Sequence, residues 1–387
     1  MNERHAIQDA WQSAGAERAD TVLCTVVQVK GSAYRRPGAR MLIFPDGRRI
    51  GSVSGGCLEG DLCRKGWWLT SDGRPAVRVY DTMSDDDAVW EFGLGCNGVV
   101  HVLLERADTD SVRESMEFLA ACRERNLCAA IATVVRCDAA AGLEAGDRLF
   151  AKDGEITGGQ FARSEFAGEV LPWLELARHE RRSQSVHLDL LEVFIEWIEP
   201  PLPLFIFGAG HDAVPLVAMA KELGWHVTVA DGRPAYARTD RFPNADRVML
   251  LTPEDDLRGL GITAESIVVM ITHNYPQDER LLQVILPLRP RYLGVLGPRK
   301  RSERLFADLE AELNGASIHA PTGLDIGAEE PAAIALSILA EVQAVLAGRP
   351  AGKLRARSGP IHERREEREE GELGDARQFR PVMACGL

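Results

Sequence analysis

The segment LFIFGAGHDAVPLVAMAKELGWHVTVAD, residues 204–231, predicts the fold of the C-terminal half of the chain. An apolar strand leads into a glycine-rich turn, then a helix that ends at Gly224, then a second strand that ends at Asp231. Apolar strand patterns recur at 247–251, 266–272 and 291–297, and a long helical pattern closes the series at 329–348. Because strands and helices alternate, we predict an α/β domain with a Rossmann-like parallel sheet.

The turn inside this segment matches a dinucleotide-binding fingerprint. Gly208, Gly210 and Ala213 have the G-x-G-x-x-G/A spacing, directly after a strand and at the start of a helix. Gly208 permits the tight turn, and Gly210 lets a phosphate approach the amides at the helix N-terminus. Asp231 is placed to bind a ribose hydroxyl, and His211 in the same turn is a further candidate ligand. The pattern indicates NAD(P) or another phosphorylated ligand, because Rossmann folds hold both.

Polar residues follow the later strands of this half. Ligands of such sheets bind beyond the carboxyl ends of the strands, where we expect His273, Asp278 and Arg299. His273 and Asp278 are candidates for proton chemistry or metal binding, and Arg299 for holding phosphate. The alternatives stay open: His273 caps the following helix or lines a dry crevice, and Arg299 belongs to a solvated helix start.

The N-terminal half reads as a β-rich α+β domain with an internal repeat. Residues 128–136 and 146–159 echo residues 23–29 and 38–56, so that Arg148 corresponds to Arg40 and Gly154 to Gly47. WIEPPLPL, residues 197–204, is the best domain boundary. We therefore predict an N-terminal domain at 1–198, a Rossmann-like domain at 199–350 and a charged, disordered tail at 351–387.

Two glycine-rich segments, GSAYRRPG at 31–38 and GSVSGGCLE at 51–59, carry residues that the second copy of the repeat lacks. Arginines can clamp an anion, glycines let a ligand approach the backbone, and a cysteine supplies a soft ligand or nucleophile. The candidate binding residues here are Arg35, Arg36, Gly55, Gly56 and Cys57, with Cys96 as a second glycine-flanked cysteine. The alternative is two glycine-rich hairpin turns without a ligand.

Composition excludes several classes of protein. The formal net charge of −13 argues against nucleic acid as a partner, and no apolar run is long enough to span a membrane. The charged N-terminus does not resemble a signal peptide. The eight cysteines are scattered without zinc-type spacing, as in a reducing compartment. We expect a cytoplasmic protein.

The chain contains seven motifs in order: GSAYRRPGARM, GSVSGGCLEG, FGLGCNG, FIFGAGH, THN with a following Asp, GVLGPRKR and APTGLDIGAEEPAAIALSILAE. Together they resemble the XdhC/CoxI family, the accessory factors of xanthine dehydrogenase and related molybdenum hydroxylases. The resemblance runs from about Thr21 to about Gly348 and leaves the charged tail uncovered.

The resemblance implies a protein that binds molybdenum cofactor and supports its sulfuration with a cysteine desulfurase. Such a factor then delivers the cofactor to the apo-subunit of a molybdenum hydroxylase, and a homodimer is the default. It places the cofactor site at Gly55, Gly56, Cys57 and Cys96, with either cysteine as a molybdenum ligand or sulfur relay. The arginines at 35 and 36 would hold the phosphate or the pterin.

Two other functions stay open at this point. The first is an NAD(P)-dependent oxidoreductase that uses the Rossmann domain, with His273 and Asp278 as its candidate pair. The second is a scaffold that only recruits the desulfurase. A cofactor chaperone without turnover is the preferred interpretation.

Overall fold

The computed structural model describes residues 3–31, 33–81, 98–252, 255, 257–309, 317–358 and 368–369. Clustering of neighbouring residues divides the chain into two compact units, Glu3–Pro200 and a second that begins at Pro201. The division falls inside the proline-rich junction. Within the described ranges, no helix combines the length and the apolar character that crossing a bilayer requires.

The first unit contains two antiparallel sheets. Its first half comprises α1 (Glu3–Ser13), β1 (Val22–Gly31), β2 (Arg40–Ile43), β3 (Arg49–Gly51), α2 (Glu59–Leu69), β4 (Ala76–Asp81) and β5 (Gly98–Arg106). Its second half comprises α3 (Asp110–Glu124), β6 (Ala129–Cys137), β7 (Arg148–Lys152), β8 (Glu155–Gly158), α4 (Ala167–Glu180), β9 (Gln184–His187) and β10 (Leu191–Ile198). The strand orders are β3-β2-β1-β5-β4 and β9-β10-β6-β7-β8, so each half supplies one sheet.

The two sheets repeat one another in register. Thr25 lies opposite Arg40 in the β1–β2 pair, and Thr133 lies opposite Arg148 in the β6–β7 pair. The glycine that follows each hairpin has no room for a side chain. A Cβ atom on Gly51 would lie 2.3 Å from the carbonyl oxygen of Arg40, and one on Gly159 would lie 2.1 Å from that of Arg148. Only glycine fits at either position.

Two buried ion pairs link the two copies of the repeat, and each pair has its arginine in one copy and its glutamate in the other. Arg40 of the first copy donates to Glu196 on β10 at 2.9 and 2.5 Å, and Arg148 of the second donates to Glu105 on β5 at 2.8 and 2.6 Å. Burial acts to raise the pKa of Glu196, but the charge and hydrogen bonds of Arg40 outweigh it and hold that pKa below its usual value. Each copy therefore supplies a buried charge that only the other neutralises.

The second unit is a six-stranded parallel sheet. Its elements are β11 (Pro203–Phe207), α5 (Ala213–Glu222), β12 (His226–Asp231), β13 (Arg247–Leu250), β14 (Ile267–Met270), α6 (Tyr275–Ile285), β15 (Tyr292–Val295), α7 (Arg299–Asp308), β16 (Ile318–His319) and α8 (Pro331–Leu346). The order β13-β12-β11-β14-β15-β16 reverses direction between β11 and β14, which places a ligand crevice there. The predicted Rossmann-like sheet is confirmed.

Alternate side chains of the central strand explain why helices cover both faces. Leu204 and Ile206 belong to an apolar cluster that includes Leu216 of α5 and Ile338 of α8. Phe205 and Phe207 belong to a second cluster with residues of α6 and α7. A strand that is apolar at every position is typical of a parallel sheet buried on both sides.

Gly208 should be the least replaceable residue of the nucleotide-type turn. Its φ is +110°, and a Cβ atom would lie 2.4 Å from the carbonyl oxygen of Ile271. We expect Gly208→Ala to lower the free energy of unfolding by about 2–4 kcal/mol. Gly210→Ala is the matched control, because a Cβ there would meet nothing within 4 Å. Hydrogen exchange of the β11 and β14 amides measures both, and equal losses would contradict this explanation.

The described residues of the C-terminal tail, 351–358 and 368–369, contain a 3₁₀ turn at Leu354–Ala356 and one short strand. Arg368–Glu369 forms β17, which pairs in parallel with β9 at the edge of the second sheet of the first unit. The charged composition of the tail did not predict this strand.

Candidate functional site

The two glycine-rich segments of the first unit meet through an aromatic ring. A Cβ atom on Gly55 would lie 3.5 Å from Cγ of Tyr34, so the ring lies directly over the glycine backbone. Tyr34 is 71% exposed. Sequence reasoning identified both segments, and the structure brings them together at this contact.

Ser54 organises the loop that carries Cys57. The Ser54 hydroxyl donates to the Glu59 carboxylate and accepts from the backbone N–H groups of Gly56 and Leu58, each at 3.1 Å. The Sγ atom of Cys57 lies 3.6 Å from the same hydroxyl oxygen. The half-buried thiol is therefore held just before α2, next to two exposed glycines.

Glu59 anchors this loop from inside the protein. Its buried carboxylate accepts from the Ser52 hydroxyl at 2.9 Å and from the Ser54 and Val53 amides at 2.8 and 3.2 Å. Burial acts to raise the pKa of Glu59, but the hydrogen bonds from Ser54 and Ser52 outweigh it and bring the pKa below its usual value. A charged carboxylate thus fixes the backbone around Cys57.

A comparison of the two copies of the repeat shows that this hydrogen-bond network is not part of the fold that the copies share. Counted from the equivalent glycines Gly51 and Gly159, the second copy has alanines, Ala162 and Ala167, in place of Ser54 and Glu59. It has Glu165 in place of Cys57. Since the second copy folds without these groups, the sheet does not require them. Sequence reasoning missed Ser54 and Glu59, although a comparison of the two copies past the glycines would have found them.

The two predicted arginines differ in their availability. Arg35 forms an ion pair with Glu3 of α1. The side chain of Arg36 is half-buried and has no hydrogen bond or ion pair with the described residues. Arg36 is therefore the better placed of the two to receive an anion. Cys96, the second cysteine candidate, lies outside the described residues.

The acidic residue of the Rossmann fingerprint is already fully bonded. The buried Asp231 carboxylate accepts from the Ala209 amide at 2.7 Å and from Arg233 through its backbone N–H, Nε and Nη2 at 2.8–2.9 Å. Burial acts to raise the pKa of Asp231, but these donors outweigh it and lower that pKa. A carboxylate offers about four acceptor positions, so a ribose hydroxyl would have to displace Arg233.

Removal of the Arg233 side chain should free acceptor positions on the Asp231 carboxylate. We expect Arg233→Ala to tighten NAD⁺ binding about fivefold, because the freed Asp231 oxygens regain a hydrogen bond to ribose worth about 1 kcal/mol. Arg238→Ala is the control, since Arg238 pairs with the exposed Asp240. Isothermal titration of the full chain with NAD⁺ measures the change. An unchanged affinity in Arg233→Ala would show that this pair does not control access to the crevice.

His273 and Asp278 do not form the predicted pair. His273 has a φ of +54° and is 62% exposed, and its Nε2 lies 3.4 Å from Asp212 Oδ2. Asp278 is buried and accepts from the Thr272 hydroxyl at 2.5 Å and from Arg301 at 2.6 Å. The histidine therefore lies at the reversal point between β11 and β14, and the carboxylate is a structural partner of α7.

The remaining predicted residues of this unit lie at the same edge of the sheet. His211 is exposed in the turn between Gly210 and α5, and Arg299 is exposed at the first residue of α7. The cap of α6 is Asn274, whose side chain accepts from the Gln277 amide at 3.1 Å, and not His273. In the part of the chain that the structure describes, no group of three or more His, Cys, Asp or Glu side chains could hold a metal ion.

Comparisons with known proteins match both units. Residues 14–81 match the model of the XdhC and CoxI family, and residues 204–342 match that of the XdhC Rossmann domain. A protein of Bacillus subtilis described as a probable subunit of xanthine dehydrogenase is 35% identical over 343 residues, which is 88% of this chain and 97% of that protein. The molybdenum cofactor insertion chaperone PaoD of Escherichia coli is 23% identical, over 88% of this chain and 87% of its own length.

A solved structure agrees with these matches. The crystal structure of a xanthine dehydrogenase from Bacillus halodurans superimposes with a TM-score of 0.73 at 28% sequence identity. The superposition covers 92% of this chain and 98% of that one. The similarity therefore extends over both compact units.

Proposed function

This chain belongs to the XdhC and CoxI family, and on that basis we propose that it binds molybdenum cofactor and delivers it to a xanthine dehydrogenase-type hydroxylase. The names of its relatives support this function, because one is named as part of a xanthine dehydrogenase and another as a molybdenum cofactor insertion chaperone. The observation that carries the proposal is the buried Ser54–Glu59 network, which holds Cys57 two residues after Gly55, the glycine that the exposed Tyr34 ring covers.

The residues around Cys57 fit the chemistry of this cargo. Molybdenum cofactor combines a dithiolene-bound metal, which soft thiolates suit, with a pterin and a terminal phosphate. Cys57 would hold the molybdenum or carry the sulfur that a cysteine desulfurase supplies. The Tyr34 ring offers a flat apolar surface for the pterin, and Arg36 offers a cation for the phosphate. Cys96 remains the second candidate thiol.

The oxidoreductase alternative has less support. A dinucleotide would need the Asp231 carboxylate, which Arg233 and the Ala209 amide occupy. Proton chemistry at His273 would lack the proposed support of Asp278, because that carboxylate is bonded to Arg301. We therefore favour a chaperone that binds and transfers its cargo without turnover.

The experiment is identification of the small molecules that co-purify with the full chain. Cells that make molybdenum cofactor should yield protein with bound molybdenum and a pterin that becomes fluorescent on oxidation. Protein from cells that lack cofactor synthesis is the control and should contain neither. Bound NAD(P), with turnover and without a pterin, would instead establish the oxidoreductase.

A further inference from the structure

The outer face of α2 carries two adjacent exposed tryptophans. Trp67 is 52% exposed and Trp68 is 69% exposed. Helical spacing places Arg64 on the same side, one turn before them, and its side chain is 70% exposed. We call these three residues the tryptophan face. Exposed aromatic and arginine side chains of this kind are the residues that most often dominate the energy of protein interfaces.

The internal repeat shows that the fold does not require these aromatic residues. Counted from the equivalent glycines Gly51 and Gly159, Glu175 and Leu176 of α4 correspond to Trp67 and Trp68. Glu175 is bonded to Arg178 at 2.8 Å, and Leu176 is buried. The second copy thus has a paired carboxylate and a buried leucine at these two positions, and no exposed aromatic ring at either.

Trp67 is held rigidly, which favours binding. The guanidinium of Arg106 lies 4.7 Å from the Trp67 ring centroid and donates to the carbonyl oxygens of Trp67 and Thr70 at 3.2 and 3.1 Å. The Trp68 side chain has no hydrogen bond or ring contact with the described residues. A pre-ordered aromatic anchor loses little conformational entropy when a partner covers it.

Cations surround this face on a chain that is acidic as a whole. Arg64 and Lys65 approach Asp61 at 3.7 and 2.7 Å, and Arg78 of the edge strand β4 lies over the ring of Tyr80, whose hydroxyl donates to the same Asp61. Arg64 and Lys65 therefore share one buried carboxylate, and Arg78 lies against the tyrosine that bonds to it. These side chains carry three positive charges against one negative charge, on a chain whose formal net charge is −13. Charge complementarity selects a partner surface that bears carboxylates.

The position of the face connects it to the proposed site. The helix that carries it has 11 residues and begins two residues after Cys57, so the tryptophans lie about 15 Å along the helix from the thiol. A standard interface buries about 800 Å² on each partner, which is wide enough to cover the tryptophans and reach the loop of Cys57. A protein seated there would lie beside the cargo.

We propose that the tryptophan face docks an acidic, apolar-centred surface of the hydroxylase apo-subunit that receives the cofactor. This inference rests on the proposed function and names the part of the chain that recognises the client. The apolar anchors supply affinity, and Arg64 with its neighbouring cations supplies orientation and salt dependence.

The test measures binding of the full chain to a purified hydroxylase apo-subunit from cells that cannot make molybdenum cofactor. We expect Trp68→Glu to raise the dissociation constant at least about tenfold. Arg64→Glu should raise it about threefold at low salt and change it little at high salt. Leu336→Glu on α8 is the matched control, because Leu336 is also an exposed apolar helix residue, and it should change affinity less than about twofold.

Several results would overturn the assignment. These are wild-type affinity in Trp68→Glu, failure of the wild type to bind the apo-subunit, and self-association that disappears in Trp68→Glu. Wild-type binding to phosphatidylglycerol-containing vesicles that Trp68→Glu abolishes would point to a lipid surface instead. Molybdenum and pterin content is measured on the same preparations. Trp68→Glu should keep both, so loss of docking with retained cargo separates this inference from the proposed function.

Discussion

Cys57→Ala should reduce the molybdenum and pterin that co-purify with the chain at least about tenfold, which corresponds to a loss of ~1.4 kcal/mol or more in binding. The proposed function makes Cys57 the thiolate that the metal or the transferred sulfur contacts. The remaining groups, Tyr34 and Arg36, would then bind only the pterin and its phosphate. Elemental analysis and fluorescence of the oxidised pterin, normalised to protein, measure the loss.

Cys63→Ala is the matched control for this variant. Cys63 lies on α2 and packs in the same apolar cluster as Cys57, and burial raises the pKa of its thiol. Its replacement should leave the cargo unchanged. If both Cys57→Ala and Cys96→Ala retained wild-type cargo, neither thiol would be the ligand.

Glu196→Ala should lower the free energy of unfolding of the first unit by about 3–5 kcal/mol. It strands the guanidinium of Arg40, which is 6% exposed, without its carboxylate partner. Hydrogen exchange of β1 and β6 amides in the full chain measures the loss. Glu192→Ala removes the partner of the exposed Arg136 and is the control, with an expected effect below about 1 kcal/mol.

The Arg40–Glu196 ion pair should also make the stability of the first unit depend on pH. Because the folded-state pKa of Glu196 lies below its usual value, its contribution to stability is complete above the ordinary carboxyl range and is lost as pH falls through the folded value. Acid should therefore destabilise the wild type more than an Arg40→Met/Glu196→Leu variant. The double variant should also recover most of the stability that Glu196→Ala loses. Identical acid sensitivity of the two proteins would contradict this assignment.

Local patterns were sufficient for much of the fold. The run from Leu204 to Asp231 predicts a strand, turn, helix and strand because each depends on neighbouring residues, and handedness rules then assemble a parallel sheet. The correspondence of Arg40 with Arg148 was readable from the repeat. The ion pairs that these arginines form were not, because Glu196 and Glu105 lie far away in sequence and on the opposite copies.

In the candidate sites, too, the sequence identified single residues, whereas their bonding partners became clear only in the structure. The sequence identified Cys57, but the hydrogen bonds that hold its loop became visible only when Ser54 and Glu59 were placed in space. Asp231 was identified as a ribose ligand from its spacing, yet Arg233, only two residues later, takes up its oxygens. His273 was paired with Asp278 along the chain, and the sheet instead brings it to Asp212.

By itself, the sequence determined the Rossmann-like sheet, the internal repeat and the glycine-rich segments around Cys57. These depend on residue type and short-range spacing. Only the tertiary structure decided which groups neutralise the buried charges, which carboxylates are already bonded and which aromatic residues stay exposed. Those properties depend on the distances between residues that are remote in sequence and on how much solvent reaches their side chains. The distances decide which charges pair, and the solvent exposure decides how much each charge costs to bury.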